Sequence, residues 1–252
     1  MKVIVLFLFL TLCASGPCGG RKKERSPLGR DNHQRVVESL PSPNINKVID
    51  VEHNLKEIQQ LPSPYNELTR VLPPLLKYNW FHKHEDIMIK LIKEYQPKVV
   101  IELGSWLGSS AIFISKSIDE NSRLYAVDHW LGSVEHHQNR EWKQLLPTLY
   151  DQFLSNVINA GLSNKVIPIR KSTLEAVSYF QQDKIQPDIV YVDAAHDEVS
   201  VYNDIKAYWP LVKNAICGDD WDWLTVRKAV ERFSEEYKLK IEVVRTMWIF
   251  RK

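Results

Sequence analysis

The sequence predicts an α/β protein with a mostly parallel sheet covered by helices on both faces. Short apolar runs rich in Val and Ile alternate with helix-period stretches from about residue 98 to residue 237, the order typical of βαβ units. Two glycines stand in the first turn of this series, at Gly104 and Gly108. A final β-rich segment, Leu239 to Arg251, has no helix after it, so we expect one or two closing strands there, possibly antiparallel.

Each element is predicted from its own pattern. A helix is expected from His84 to Tyr95, where apolar residues recur at helical spacing and Pro97 follows. The predicted strands are Lys98–Leu103, Leu124–Val127, Val166–Ile169, Ile189–Val192 and Ala215–Cys217. The helices between and after them are Ser109–Ile118, Glu141–Ala160 with a break or late start at Pro147, Thr173–Gln181, Val199–Val212 and Trp221–Tyr237.

Composition and charge exclude several classes of protein. The net charge is only +2, which indicates neither nucleic acid nor acidic lipid as a partner of the whole surface. The three cysteines, Cys13, Cys18 and Cys217, fit neither a disulfide framework nor a zinc site. We expect Cys217 to be a buried thiol.

The N-terminus resembles a signal peptide. Residues 1–20 carry Lys2, an apolar run and then small residues, and the run is too short to span a bilayer as a helix. The basic cluster that follows, from Arg21 to Arg25, resists translocation. Export or membrane association through this leader is the expectation, and a cytoplasmic protein is the alternative.

A polar, proline-interrupted stretch follows the leader. We interpret residues 21–64 as a linker with one short helix around Val51 to Gln60. The functional domain is then expected to occupy residues 65–252.

The turn after the first predicted strand favours a nucleotide-like ligand. Gly104 can make a tight turn, and Gly108 lets a ligand approach the start of the next helix. The spacing differs from the Gly-x-Gly-x-x-Gly of dinucleotide-binding proteins. Asp128 ends the next strand, roughly 20 residues beyond the turn, where an acid can accept hydrogen bonds from ribose hydroxyls.

Three more acids follow later strands. Asp193 comes after one strand, and Asp219 and Asp220 come after the next. Carboxylates gathered at one edge repel each other unless protonated or bridged by a cation, and oxygen ligands suit Mg²⁺ or Ca²⁺. The alternative is that Asp219 or Asp220 caps the helix predicted from Trp221.

His196, three residues after Asp193, could remove a proton from an acceptor hydroxyl, because the ordinary pKa of histidine suits a general base near neutral pH. It could equally anchor the following helix.

These motifs together resemble class I, S-adenosylmethionine-dependent methyltransferases. The resemblance rests on Glu102-x-Gly104-x-x-x-Gly108 followed by Asp128, and it implies a Rossmann-like sheet of seven strands. A narrower resemblance, to the bacterial group around cephalosporin hydroxylase and macrolide sugar O-methyltransferases, rests on longer sequence motifs. These are Trp80-Phe81, Glu102 to Ser110, Ala126 to Gly132, and Tyr191 to His196.

The resemblance implies roles for individual residues. S-adenosylmethionine would contact Glu102, Gly104, Ser105, Gly108 and Asp128, with Trp130 or Ser172 near the adenine. It favours Mg²⁺ at Asp193, Asp219 and Asp220. From the residues themselves, we predict that Asp193 and His196 are the catalytic residues. One departure is Arg170 to Thr173, where many relatives carry an acid for the adenine amino group.

The sequence therefore predicts methyl transfer to an oxygen of a small-molecule acceptor, assisted by a metal. The alternatives are an inactive domain that binds S-adenosylmethionine and, disfavoured by the missing glycine, an NAD-dependent oxidoreductase. The acceptor and the oligomeric state stay open, and nucleic acid is not expected as a partner.

Overall fold

The computed structural model describes residues 55–252; the leader and most of the predicted linker lie outside the described residues. Its centre is a seven-stranded sheet in the order β3-β2-β1-β4-β5-β7-β6. β1 to β5 are mutually parallel, and β7 runs antiparallel to both β5 and β6. The strands are β1 Val99–Leu103, β2 Arg123–Asp128, β3 Val166–Arg170, β4 Ile189–Val192, β5 Ala215–Gly218, β6 Glu242–Val244 and β7 Met247–Arg251.

Helices cover both faces of this sheet. They are α1 Leu55–Ile58, α2 Glu85–Tyr95, α3 Ser109–Ser117, α4 Val134–Gln138, α5 Arg140–Lys143, α6 Leu149–Asn159, α7 Thr173–Gln182, α8 Glu198–Tyr208 and α9 Leu224–Tyr237. A 3-10 turn, Trp80–His84, leads into α2. The predicted α/β fold with its seven strands is confirmed.

Two apolar cores flank the sheet because side chains of a strand alternate between its faces. In β1, Val100 packs in the core beneath α2, α3 and α6, whereas Ile101 packs in the core beneath α7, α8 and α9. Each strand of the parallel part is therefore buried on both sides, which explains its continuous apolar sequence. Cys217 is buried in the first of these cores, as expected.

Several boundaries differ from the prediction; for example, α8 ends at Tyr208, four residues before the predicted Val212. Pro147 divides the long predicted helix, leaving α5 before it and α6 after it. α9 begins at Leu224, three residues later than expected. Ile58, placed in the linker by its polar surroundings, is only 1% exposed and belongs to a core, so the compact part of the chain starts before residue 65.

Among residues 55–252, none of the helices combines the length and apolar character that crossing a bilayer requires.

Candidate active site

A cleft of about 850 Å³ opens along the carboxyl edge of the parallel strands. The residues that follow β1 to β5 line its floor, and the 3-10 turn and the α4–α5 region supply further walls. Ligands of open α/β sheets bind at this edge, where the strand order reverses between β1 and β4. The cleft therefore unites the glycine turn and the later acidic residues, as the sequence predicts.

Gly104 brings two strand ends together. Its φ is +87°, and a Cβ on it would lie 2.0 Å from the carbonyl oxygen of Asp193. Its N–H donates to the carbonyl of Val127 at 2.8 Å. A residue with a side chain cannot occupy this position, so Gly104 allows the cofactor turn to lie directly against the end of β4.

Glu102 supports the same turn from beneath. Ser105 Oγ donates to its Oε2 at 2.5 Å, and Oε1 has no partner among the described residues. Burial raises the pKa of Glu102 to about 7. Ser105 lines the cleft and Glu102 does not, so Glu102 positions the turn rather than touching a ligand held in the cleft.

Asp128 joins the turn to the end of β2 and faces the cleft. Its Oδ2 accepts from the backbone N–H groups of Ser105 and Trp106, at 3.1 and 3.0 Å. Its Oδ1 accepts from the N–H of Trp130 at 2.6 Å. The carboxylate is thus fixed in place, and its remaining lone pairs suit the ribose contact that we predict.

Two predicted cofactor residues, Gly108 and Trp130, have packing roles, and their contact with a cofactor stays a prediction. Gly108 precedes α3 with φ +88°, and a Cβ there would meet the ring of Phe153 at 3.0 Å, so an aromatic ring rather than a ligand requires this glycine. Trp130 is 2% exposed and packs on Tyr150 and Phe153. Neither Gly108 nor Trp130 lines the cleft.

Ser172 has a structural role and also borders the cleft. It is the N-cap of α7 and forms a reciprocal capping box with Glu175. Its proximity to adenine stays a prediction.

A three-residue cluster forms the opposite end of the cleft. Asp193, His196 and Asp220 each direct one ligand atom to a common point, with all three atoms within 4.8 Å of one another. His196 Nε2 lies 3.0 Å from Asp220 Oδ2. Helix capping does not explain these residues, because Asp197 caps α8 and Trp223 is the N-cap of α9.

Asp219 departs from the predicted metal set. Its Oδ1 accepts from His84 Nε2 at 2.8 Å and from Thr246 Oγ1 at 2.7 Å, and its Oδ2 pairs with Lys83 Nζ at 3.3 Å. Burial alone would raise its pKa, but the hydrogen bonds from His84 and Thr246 outweigh burial and lower the pKa to about 2. We therefore correct the predicted set: His196 takes the place of Asp219, which ties β5 to the 3-10 turn and β7.

Charge is poorly balanced around the cluster. Burial, followed by the charges of Asp220 and Asp219, raises the pKa of Asp193 well above its usual range. Burial alone would lower the pKa of His196, but the hydrogen bond to Asp220 and the neighbouring carboxylates raise it. This end of the cleft favours a positively charged group.

An aromatic wall, which sequence reasoning missed, completes the cleft. Its five members are linked by ring contacts: Trp106 stacks on His136 at 3.9 Å between centroids, and Trp142, Trp80 and Tyr78 continue the series. These residues come from separate parts of the chain, so no single sequence motif predicts the wall. The Trp80-Phe81 motif was the only sequence signal for this wall.

Comparison with known proteins agrees with this geometry. Residues 101–220 match a family model described as a methyltransferase domain. This part of the chain is similar to methyltransferases. The matched span runs from β1 to Asp220, and so includes both ends of the cleft floor.

Solved structures share the fold. One is an O-methyltransferase from Bacillus cereus in complex with SAH, with a TM-score of 0.52 and 16% identity over 79% of this chain and 90% of that chain. Another is a putative O-methyltransferase from Klebsiella pneumoniae, with a TM-score of 0.52 and 15% identity over 70% and 83%. A third is the O-methyltransferase TomG from Streptomyces achromogenes, involved in tomaymycin synthesis and in complex with SAM, with a TM-score of 0.52 and 12% identity over 73% and 82%.

The comparison with curated proteins gave no match. The family match over residues 101–220 and the shared fold agree with the predicted resemblance to class I methyltransferases. The narrower resemblance, to the cephalosporin hydroxylase and macrolide sugar group, stays a prediction.

Proposed function

We propose that this methyltransferase moves the methyl group of S-adenosylmethionine to an oxygen of a small-molecule acceptor. The observation that carries the proposal is the continuous cleft, which joins the turn held by Asp128 to the Asp193–His196–Asp220 cluster. In the reaction the acceptor oxygen forms a bond to the methyl carbon, the sulfur–methyl bond breaks, and the hydroxyl proton leaves.

In this proposal the two substrates occupy different ends of the cleft. The donor would lie over β1 and β2, where Ser105 and Asp128 face the cleft, and the acceptor over β4 and β5. Because Gly104 lies directly against Asp193, the two ends meet closely. Holding both reactants in line supplies much of the acceleration in such transfers.

A divalent cation fits the acceptor end. Asp193, His196 and Asp220 would hold it, since their ligand atoms converge and the local carboxylates lack enough positive partners. Such an ion, when bound, lowers the pKa of a coordinated hydroxyl. The side chains would fix its position next to the donor, and Asp219 would hold β5 in register behind them.

A second candidate mechanism needs no metal. The 3.0 Å contact between His196 Nε2 and Asp220 Oδ2 is that of a hydrogen-bonded pair. In this arrangement Asp220 orients the imidazole, and His196 accepts the proton of the acceptor hydroxyl.

Calorimetry with S-adenosylhomocysteine and a transfer assay over a panel of hydroxyl-bearing acceptors test the proposal. We expect saturable binding and methyl transfer to at least one acceptor. No binding, or preferential binding of NADH, would contradict the proposal. Saturable binding without transfer to any acceptor would instead support the inactive binding domain.

Chelation separates the two mechanisms. EDTA should abolish turnover and Mg²⁺ or Mn²⁺ should restore it, while S-adenosylhomocysteine still binds. Asp220→Asn should impair turnover by roughly 100-fold or more, and Asp222→Asn, an exposed neighbour outside the cleft, should not. Full activity after chelation would favour the metal-free pair.

We also propose that the leader directs export or membrane association, supported by its apolar run. Protein expressed with a C-terminal tag should be shortened at its N-terminus or found in the membrane fraction. Mass spectrometry that finds intact Met1 on wholly soluble protein would overturn this.

A further inference from the structure

One polar face of α8 borders the cleft. Asp197, Ser200 and Asp204 line it together, at spacings that place residues on one side of a helix. Exposure decreases along this face, from the exposed Asp197 to Asp204, which is only 2% exposed. A buried acid bordering a cleft is costly unless it has a partner.

Asp204 is held at the start of α7. Thr173 Oγ1 donates to its Oδ1 at 2.5 Å, and Tyr208 Oη donates to the carbonyl of Thr173 at 2.7 Å. Within residues 55–252 no group donates to the other oxygen of Asp204. The carboxyl therefore lies beside Ser172 at the end of β3 and has acceptor capacity left over.

The position of the adenine follows from the proposed ribose contact and the order of the strands. The methyl group must face the acceptor end, over β4, and the ribose belongs at Asp128 on β2. β3 is the next strand outward, with Asp128 opposite Arg170. The base, attached to the far side of the ribose, extends over the end of β3.

The last residue of β3 and the three that follow it, Arg170 to Thr173, include no acid. We infer that Asp204 accepts a hydrogen bond from the exocyclic amino group of the adenine, and that this contact selects adenine over other purines. The inference rests on the proposed function. The acid reaches the end of β3 from α8, a different element of the chain. Burial raises the pKa of Asp204 to about 7, and a donor arriving from the cleft would favour its charged form.

A pair of ligands tests this contact without any need for turnover. S-inosylhomocysteine carries an oxygen in place of the amino group of S-adenosylhomocysteine. By calorimetry, the unmodified protein should bind the adenosyl compound about tenfold or more tightly, the factor expected when one buried hydrogen bond is lost. Asp204→Asn, which keeps the shape and can turn an N–H to the cleft, should bring the ratio to within about threefold or invert it.

Asp188→Asn is the matched control, since Asp188 is another buried acid but lies outside the cleft. It should leave the ratio unchanged. A ratio near one in the unmodified protein, or an unchanged ratio in Asp204→Asn, would overturn the assignment of Asp204 alone. If neither compound binds the unmodified protein, the proposed function fails and this assignment fails with it.

Discussion

The two ends of the cleft are built in different ways. At the cofactor end, the polar groups find partners within one short stretch of chain and the strand beside it: Asp128 accepts from the turn, and Ser105 donates to Glu102. At the acceptor end, Asp219 takes its partners from residues before β1 and after β6, namely His84 and Thr246. Asp193 and Asp220 lie close enough for their negative charges to repel each other.

The difference shows what each end requires from a ligand. The cofactor end has its shape fixed by the backbone before any ligand arrives, as pre-organised binding sites do. The acceptor end carries excess negative charge that a cation or a polar substrate can relieve. Substitutions should therefore harm folding at the first end. At the second end they should harm chemistry, except at Asp219, whose partners His84 and Thr246 give it a structural role.

The largest expected effect is at Gly104. Gly104→Ala should reduce the free energy of unfolding by about 3 kcal/mol or more, because the new Cβ would overlap the backbone of Asp193 at a positive φ. Gly161→Ala is the control: its φ is also positive, at +72°, but nothing lies within 4 Å, so about 1 kcal/mol is expected. Equal losses in urea unfolding would show that strand contact does not explain the glycine.

Neighbouring acids provide the second test. Asp219→Ala should cost about 2–4 kcal/mol of stability, because His84 and Thr246 lose a charged partner in the interior. Asp220→Ala should change stability by less than about 1 kcal/mol and yet abolish turnover. Denaturant unfolding with a parallel activity assay measures both, and the reverse pattern would restore Asp219 to the metal set.

A smaller effect concerns pH. The pKa of Glu102 is raised from its ordinary 4.5 to about 7, so the folded state holds this proton more tightly than the unfolded state. The free energy of unfolding should therefore fall as the pH rises from about 4.5 to about 7, by about 3 kcal/mol from this group.

Glu102→Gln removes that ionisation. The variant should gain stability relative to the unmodified protein at pH 8 and lose the advantage at pH 4. Asp204 shifts in the same direction, so part of the pH dependence should remain. A parallel pH profile for the two proteins would show that Glu102 is not the group responsible.

Most of the sheet could be predicted from the sequence, because strands that are buried on both faces have continuous apolar sequences. Ile189–Val192 was placed without error. One or two closing strands were expected from the β-rich end, and two antiparallel strands are found there. The interruption at Pro147 was foreseen only as a break or a late start. The burial of Ile58 was missed because a few apolar contacts within a polar, proline-rich stretch leave no periodic pattern.

The site was only partly predictable, for a physical reason. Gly104 and Asp128 follow from spacing along neighbouring βα units, which fixes their separation in space. The choice between Asp219 and His196 depends on which way adjacent side chains turn, and His84 and Thr246 decide that from remote parts of the chain. Asp204 likewise reaches the end of β3 only through the crossing of α7 and α8.

The hydrogen bonds that Asp219 forms with His84 and Thr246 affect which fragments of the chain would keep this structure. A fragment trimmed to the family match, residues 101–220, would lack both His84 and Thr246. It would also lose Trp248, whose indole N–H donates to the carbonyl of Asp219 at 3.0 Å. Such a fragment would expose a buried carboxylate and remove the β7 edge from β5. Recombinant work and domain swaps between relatives should therefore include the flanking segments together with residues 101–220.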